Sequence, residues 1–192
     1  MLEAAAQLFA TRGYTATTMQ QVAAGCGVSK ATLYHYVPDK HGLLAQIARG
    51  HVARLEGLAL QVRSLKLQPQ EHLEQLILRF MQAYASAAHQ HRVLTEDVKF
   101  LDEEDRLAVL GGQRRVVAAF AAAIAAVRPD LQGRRLDKPL AMLLFGMINW
   151  TFTWLRASGP LTHASLAPLV VELFLGGLSA LQMPRQASSR AA

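Results

Sequence analysis

Few side chains in this sequence are grouped as reactive chemistry would need them. His89 and His91, with Glu96-Asp97 just after, come nearest to a metal-ligand set. Residues two apart diverge on a helix, so only a loop would turn both imidazoles toward one ion, and a solvated surface is the expected reading. The run Asp102-Glu103-Glu104-Asp105 reads as a helix start, where negative charge meets unpaired N–H groups. Cys26 is the single cysteine, which excludes an intrachain disulfide or a cysteine-rich metal site. It reads as a small packed residue rather than a redox sensor, which wants exposure and a nearby cation. No nucleophile elbow, HExxH, phosphate loop or dinucleotide fingerprint appears, so neither an enzyme nor a cofactor is expected. Asn149, Trp150 and Trp154 interrupt an otherwise apolar stretch. Their polar edges need partners if buried, so they line a cavity or close a subunit seam.

The elements that position these residues are helical. The 192 residues are 52% hydrophobic and 18% charged, with a net charge of +6. That is ample core material, and the low charge suggests apolar surface hidden in a subunit contact or ligand cavity. The strongest candidate membrane span, around Leu140 to Trp154, is broken by Asn149, and no signal peptide opens the chain, so a cytoplasmic protein without a membrane partner is expected. Apolar residues recur at helical spacing nearly throughout, and two-residue alternation is absent. The expected fold is all-α, with about nine helices. A helix-turn-helix head at 1–45 precedes a ligand-binding and dimerisation bundle at 46–183, and 184–192 forms a tail with little reason to order.

In the head, Thr17 or Thr18 caps a short helix from Met19 to Ala24, and Gly25-Cys26-Gly27 makes a turn. Ser29 caps a helix through Tyr36, and Asp39 caps the next. Two short helices joined by a glycine turn have the form of a helix-turn-helix, in which the first braces the second in the major groove.

The stretches Phe9–Thr18 and Val28–Lys40 carry a longer pattern, including Gly13-Tyr14, Thr17-Thr18-Met19, Val28-Ser29, Thr32-Leu33-Tyr34 and Lys40. Over residues 1–45 the chain closely resembles the amino-terminal domain of the TetR family of transcriptional regulators. Cys26 and Val37 depart from the usual residues but remain apolar. The resemblance implies a DNA-contacting set of Thr18, Ser29, Lys30, Ala31, Thr32, Tyr34, His35, Tyr36 and Lys40. Thr18 would meet a phosphate, Lys30 a guanine edge or a phosphate, and Ala31 a thymine methyl. Tyr34 and His35 would bracket the backbone, and Lys40 would clamp a phosphate. Tyr36 would contact DNA or anchor its helix, while Tyr14, Leu33 and Val37 belong to the core. The first 60 residues are only mildly basic, so affinity would rest on placed contacts and dimerisation.

In the body, Leu140, Leu143, Leu144, Met147, Leu166, Val170, Leu173, Phe174 and Leu178 offer more apolar surface than two peripheral helices need. Family members pair through their last two helices, so a homodimer facing palindromic operator DNA is expected. The segment Phe145–Leu161 resembles a signature of TetR-family repressors of fatty-acid, aromatic-acid and steroid catabolism, some of which respond to acyl-CoA thioesters. Ala157-Ser158 departs from that signature. For a small hydrophobic or acyl-CoA inducer, the expected wall is Phe80, Met81, Tyr84, Phe120, Ile124, Met147, Asn149, Trp150 and Trp154. The cation pool is Arg79, Arg92, Lys99, Arg114, Arg115 and Arg156. The rival readings are a regulator sensing another hydrophobic compound, such as a drug, and a helical interaction module that binds no DNA.

Overall fold

Short polar side chains set the helix boundaries in the first forty residues. Thr18 accepts from Gln21 N at 3.2 Å while the Gln21 side chain accepts from Thr18 N at 2.9 Å, a reciprocal capping box. Ser29 accepts from Thr32 N at 3.0 Å, and Asp39 from Gly42 N at 2.7 Å. These caps open α2 (Met19–Gly25), α3 (Lys30–Tyr36) and α4 (Lys40–Ser64), which follow α1 (Leu2–Arg12). Gly13 and Gly27 turn the chain at φ of 89° and 66°, values that a side chain would strain. Thr17 is buried, and its hydroxyl donates to Gly13 O at 2.8 Å, so it ties the α1–α2 turn while Thr18 alone caps.

The computed structural model describes residues 1–155 and 159–182, with the backbone alone at 132–134. Beyond the head lie α5 (Pro69–Ser86), α6 (Ala88–Glu96), α7 (Glu103–Val127), α8 (Asp137–Asn149), α9 (Thr151–Trp154) and α10 (His163–Ala180). Short 3-10 turns at Val98–Phe100 and Pro129–Arg134 precede α7 and α8. No strand occurs among the described residues.

The all-α expectation holds. α8 stops at Asn149 and the helix resumes for one turn as α9; counting the two as one broken helix leaves nine among the described residues. Arg156, Ala157, Ser158 and the 184–192 tail lie outside the described residues.

α7 is the central strut, packed by α4, α5 and α8. It is continuous through Gly111-Gly112. Gly112 sits against Val52 of α4, where an added Cβ would stand 2.9 Å from a Val52 methyl. Phe80, Phe120 and Phe145 form an edge-to-face cluster, with Phe120 4.8 Å from each of the other two. One continuous core runs from Phe9 and Leu33 in the head to Phe174 and Leu178 in α10. α4 belongs to both parts: its first turn closes the head and its later turns line the body.

Candidate functional site

On the head, α3 turns Leu33 inward with no exposure and leaves Lys30, Ala31, Thr32, Tyr34, His35 and Tyr36 exposed. A seven-residue helix with one buried position presents the rest as a surface. Lys30 Nζ lies 5.6 Å from the Tyr34 ring centroid, one turn along the same helix. Ser29 and Thr32 hydroxyls pair at 2.8 Å. Thr18 is exposed at the neighbouring helix start, and a hydroxyl that accepts one bond still has its own proton to give. Tyr36 is 66% exposed, so it does not anchor α3 to the core.

Lys40 departs from its expected place among these groups. Its ammonium donates to the carbonyls of Tyr14, Thr15 and Thr17 at 2.9, 3.3 and 2.9 Å and lies 4.5 Å from the Tyr14 ring centroid. An ammonium has three N–H donors, and all three are engaged inside the protein. The phosphate clamp is therefore corrected to an internal brace. The turn after α1 leaves three carbonyls free of helix bonds, and the first turn of α4 supplies the ammonium that gathers them.

The body holds a cavity of about 700 Å³ between α4, α6, α7 and α8. Val52, Leu55, Leu94, Val117, Ala121 and Phe145 make it largely apolar, and Arg114, Asp137 and Lys138 stand at its rim. Among the described residues Arg114 and Lys138 enter no ion pair, whereas Arg92 pairs with Glu96 and Arg115 with Glu56. Of the expected wall, Tyr84 and Asn149 line this cavity. Phe80, Met81, Phe120 and Ile124 are fully buried in the core, and Met147 packs against it. Trp150 and Trp154, 59% and 51% exposed, line neither this cavity nor a second, alanine-walled groove of about 860 Å³ between α4, α5 and α7. These seven assignments are corrected: helical spacing marks an apolar face without saying whether core, cavity or solvent meets it.

Residues outside the expected wall also contribute. His91, read as solvated, is buried and stacks on Tyr84 with ring centroids 3.7 Å apart. His89, two residues earlier, faces outward and pairs with Glu3 at 3.4 Å, as helical divergence requires. His51 is buried edge-on to His91 at 5.6 Å. Its place within the apolar stripe of α4 was the available signal; His91 had none. Burial lowers the pKa of His51 to about 4, with Arg54 adding to the shift. Burial, then the His51 ring, lowers His91 to about 3, while the Asn149 backbone pulls the other way without hydrogen-bonding geometry. Both imidazoles are neutral near pH 7.

The expected pairing surface also divides. Leu144, Val170, Phe174 and Leu178 are buried within the chain, largely where α10 packs on α5. Leu143 and Leu173 remain 65% and 69% exposed, and Leu169 and Trp150 are exposed along the same two stretches of sequence. A Cβ added at Gly146, Gly176 or Gly177 would meet nothing, so these helices present small as well as large apolar positions outward.

Comparisons with known proteins agree over most of the chain. Residues 1–47 match the family of bacterial regulatory proteins named for tetR, and residues 66–178 match the tetracyclin repressor-like C-terminal domain. The chain is 28% identical to the transcriptional repressor KstR2 of Mycobacterium tuberculosis, over 93% of this chain and 91% of that protein. A regulator from Bordetella parapertussis is 35% identical, with 95% of this chain and 96% of that one covered and a TM-score of 0.86. AibR, solved in complex with isovaleryl coenzyme A and operator DNA, is 26% identical, with 90% and 94% covered and a TM-score of 0.78.

Proposed function

This chain belongs to the TetR family of bacterial regulatory proteins, and from that premise we propose that it is a homodimeric repressor released from its operator by an acyl-CoA thioester. Residues 1–45 bind DNA, and residues 46–183 hold the ligand and the dimer contact. The observation that carries the ligand reading is the cavity itself, a largely apolar space with Arg114 and Lys138 at its rim, neither in an ion pair among the described residues. An acyl-CoA has that form, with an apolar end for the interior and a phosphate-bearing end for Arg114 and Lys138. The free acid supplies only the apolar part and a carboxylate that is costly to bury. The relatives agree in kind: KstR2 is named a repressor, and AibR was solved with an acyl-CoA and DNA together.

The walls of the cavity suggest how occupancy reaches the DNA. α6 lines it with His91, Leu94 and Thr95 and packs its other side on α1, where His89 and Gln90 both meet Glu3. α4 lines it with Val52 and Leu55, and its first turn holds the α1–α2 turn through Lys40. His41 of that same turn bonds Phe100 O at 2.7 Å, beyond α6. A ligand that favours one spacing of α4 and α6 therefore favours one attitude of the head, and in a dimer that sets the separation of two recognition helices. Pairing through α8 and α10, with Leu143 and Leu173 at the contact, completes the reading.

Fluorescence anisotropy on the upstream DNA, or on a site from unbiased selection, tests it. Isovaleryl-CoA or cyclohexanecarboxyl-CoA should lower DNA affinity, while free CoA and the free acids leave it nearly unchanged. Arg114→Ala with Lys138→Ala should blunt the response. Equal response to acid and thioester refutes the thioester reading, as does response only to a cationic drug. Failure to shift any selected DNA refutes the repressor. Lys30→Ala should reduce discrimination at one base position by about 1–3 kcal/mol.

A further inference from the structure

Where the head joins the body, an imidazole meets two carboxylates from a distant helix. His41 stands in the first turn of α4, beside Lys40, and Asp102 and Asp105 stand at the start of α7. One ligand atom from each of the three lies within 4.8 Å of the others. Asp102 is exposed and the other two are half-buried, so an ion from solvent can reach them. Each side chain is also held from outside. His41 Nε2 meets Phe100 O at 2.7 Å; a carbonyl only accepts, so the ring gives its N–H there and keeps its lone pair on Nδ1. Asp102 Oδ1 accepts from Asp105 N at 2.7 Å, and Asp105 Oδ1 pairs with Arg49. The second oxygen of each carboxylate enters no hydrogen bond or ion pair among the described residues.

Helix capping and the Arg49 pair account for one oxygen of each aspartate and leave the other, and they do not account for His41. An imidazole that gives its N–H to a backbone carbonyl is the arrangement of a metal-bound histidine: the carbonyl fixes the tautomer and makes the remaining lone pair more basic. Arg49 offsets one of the two carboxylate charges, which leaves one negative charge for a cation. Ligands at about 2.0–2.2 Å from one ion stand roughly 3–4 Å apart, so side-chain shifts on the order of 1 Å close the set. One nitrogen with two oxygens suits Zn²⁺, Ni²⁺ or Co²⁺, whereas Mg²⁺ and Ca²⁺ take shells of oxygen. We propose that His41, Asp102 and Asp105 bind a divalent transition-metal ion of the Zn²⁺ class, with water completing its shell. An ion there ties the first turn of α4, which braces the head through Lys40, to the start of α7, which goes on to wall the cavity.

The tag-free, full-length protein, stripped with a chelator and titrated with Zn²⁺ against a chromophoric chelator, tests this. One Zn²⁺ per protomer is expected, bound in the micromolar range or tighter. His41→Gln keeps an N–H donor for Phe100 O and removes the imidazole lone pair, and Asp102→Asn keeps the α7 cap and removes the charge. Each should weaken Zn²⁺ binding at least about tenfold, while His72→Gln, on α5, should leave it unchanged. Co²⁺ on the parent should show visible ligand-field bands that both site variants lose, a signature that a merely structural role would not move. Thermal unfolding without metal checks that each variant folds. Absence of Zn²⁺ binding up to millimolar metal overturns the proposal. So does an affinity that both site substitutions leave intact or that falls with His72→Gln instead, and so does displacement of Zn²⁺ by an equal concentration of Mg²⁺.

Discussion

Replacing Lys40 by Met separates a brace from a phosphate clamp, because the two roles predict different observables. Met keeps the apolar stem beside Tyr14 and removes the ammonium. Three charge-assisted hydrogen bonds are lost, to Tyr14, Thr15 and Thr17 carbonyls, with the cation–π contact at 4.5 Å. Such bonds contribute roughly 1.5–3 kcal/mol each when fully buried. Here one is long at 3.3 Å and lies at the surface, and the freed carbonyls regain some water. A combined loss of about 2–4 kcal/mol is expected, which for a domain of this size lowers Tm by about 5–15 °C. Thermal unfolding at fixed protomer concentration reads that loss directly. Anisotropy against salt reads the other role: one lost phosphate contact per protomer lowers the slope of log K against log salt by about 1.8 for the dimer, whereas a loosened head lowers affinity with the slope unchanged. A Tm within about 1 °C of the parent, together with a slope reduced by about two, would refute the brace.

Acidification from pH 7 to pH 5 should destabilise the fold by on the order of 2 kcal/mol, because the unfolded chain binds protons near pH 6.5 that neutral His51 and His91 refuse until about pH 4 and 3. Asp97, raised to about 6 by burial and then by Glu96, acts with the opposite sign and offsets part of this, and denaturant titrations showing stability flat or rising on acidification would contradict the assignment. Gly112→Ala should cost about 1–2 kcal/mol despite better helix propensity, because its Cβ would stand 2.9 Å from the stiff, branched Val52. Gly111→Ala, whose nearest neighbour is the flexible tip of Arg115 at 3.5 Å, should stabilise by up to about 1 kcal/mol, and thermal unfolding of the pair checks both signs. Leu143→Arg or Leu173→Arg should convert the dimer to monomer in sedimentation equilibrium, and a persisting dimer would put the contact elsewhere.

What the sequence determined by itself was local. Thr18, Ser29 and Asp39 cap their helices through atoms three residues away, and Gly27 turns through its own φ, so a short window contains the whole cause. The exposed face of α3 was legible for the same reason, since one buried Leu33 on a seven-residue helix leaves its other side chains outward. Tertiary structure decided whatever depends on which surface meets an apolar face. Phe80 and Phe120 carry the same periodicity signal whether they wall a cavity or fill the core, and three-way aromatic packing with Phe145 chose the core. Lys40 looks like a solvated cation until the carbonyls of Tyr14, Thr15 and Thr17, more than twenty residues earlier, are folded onto it. His91 lies among polar neighbours in the chain, yet the packing of α6 against α4 buries it on Tyr84. Helical spacing records the side on which a residue lies, but the partner on that side is supplied by distant chain, and burial, charge state and cavity all follow from that partner.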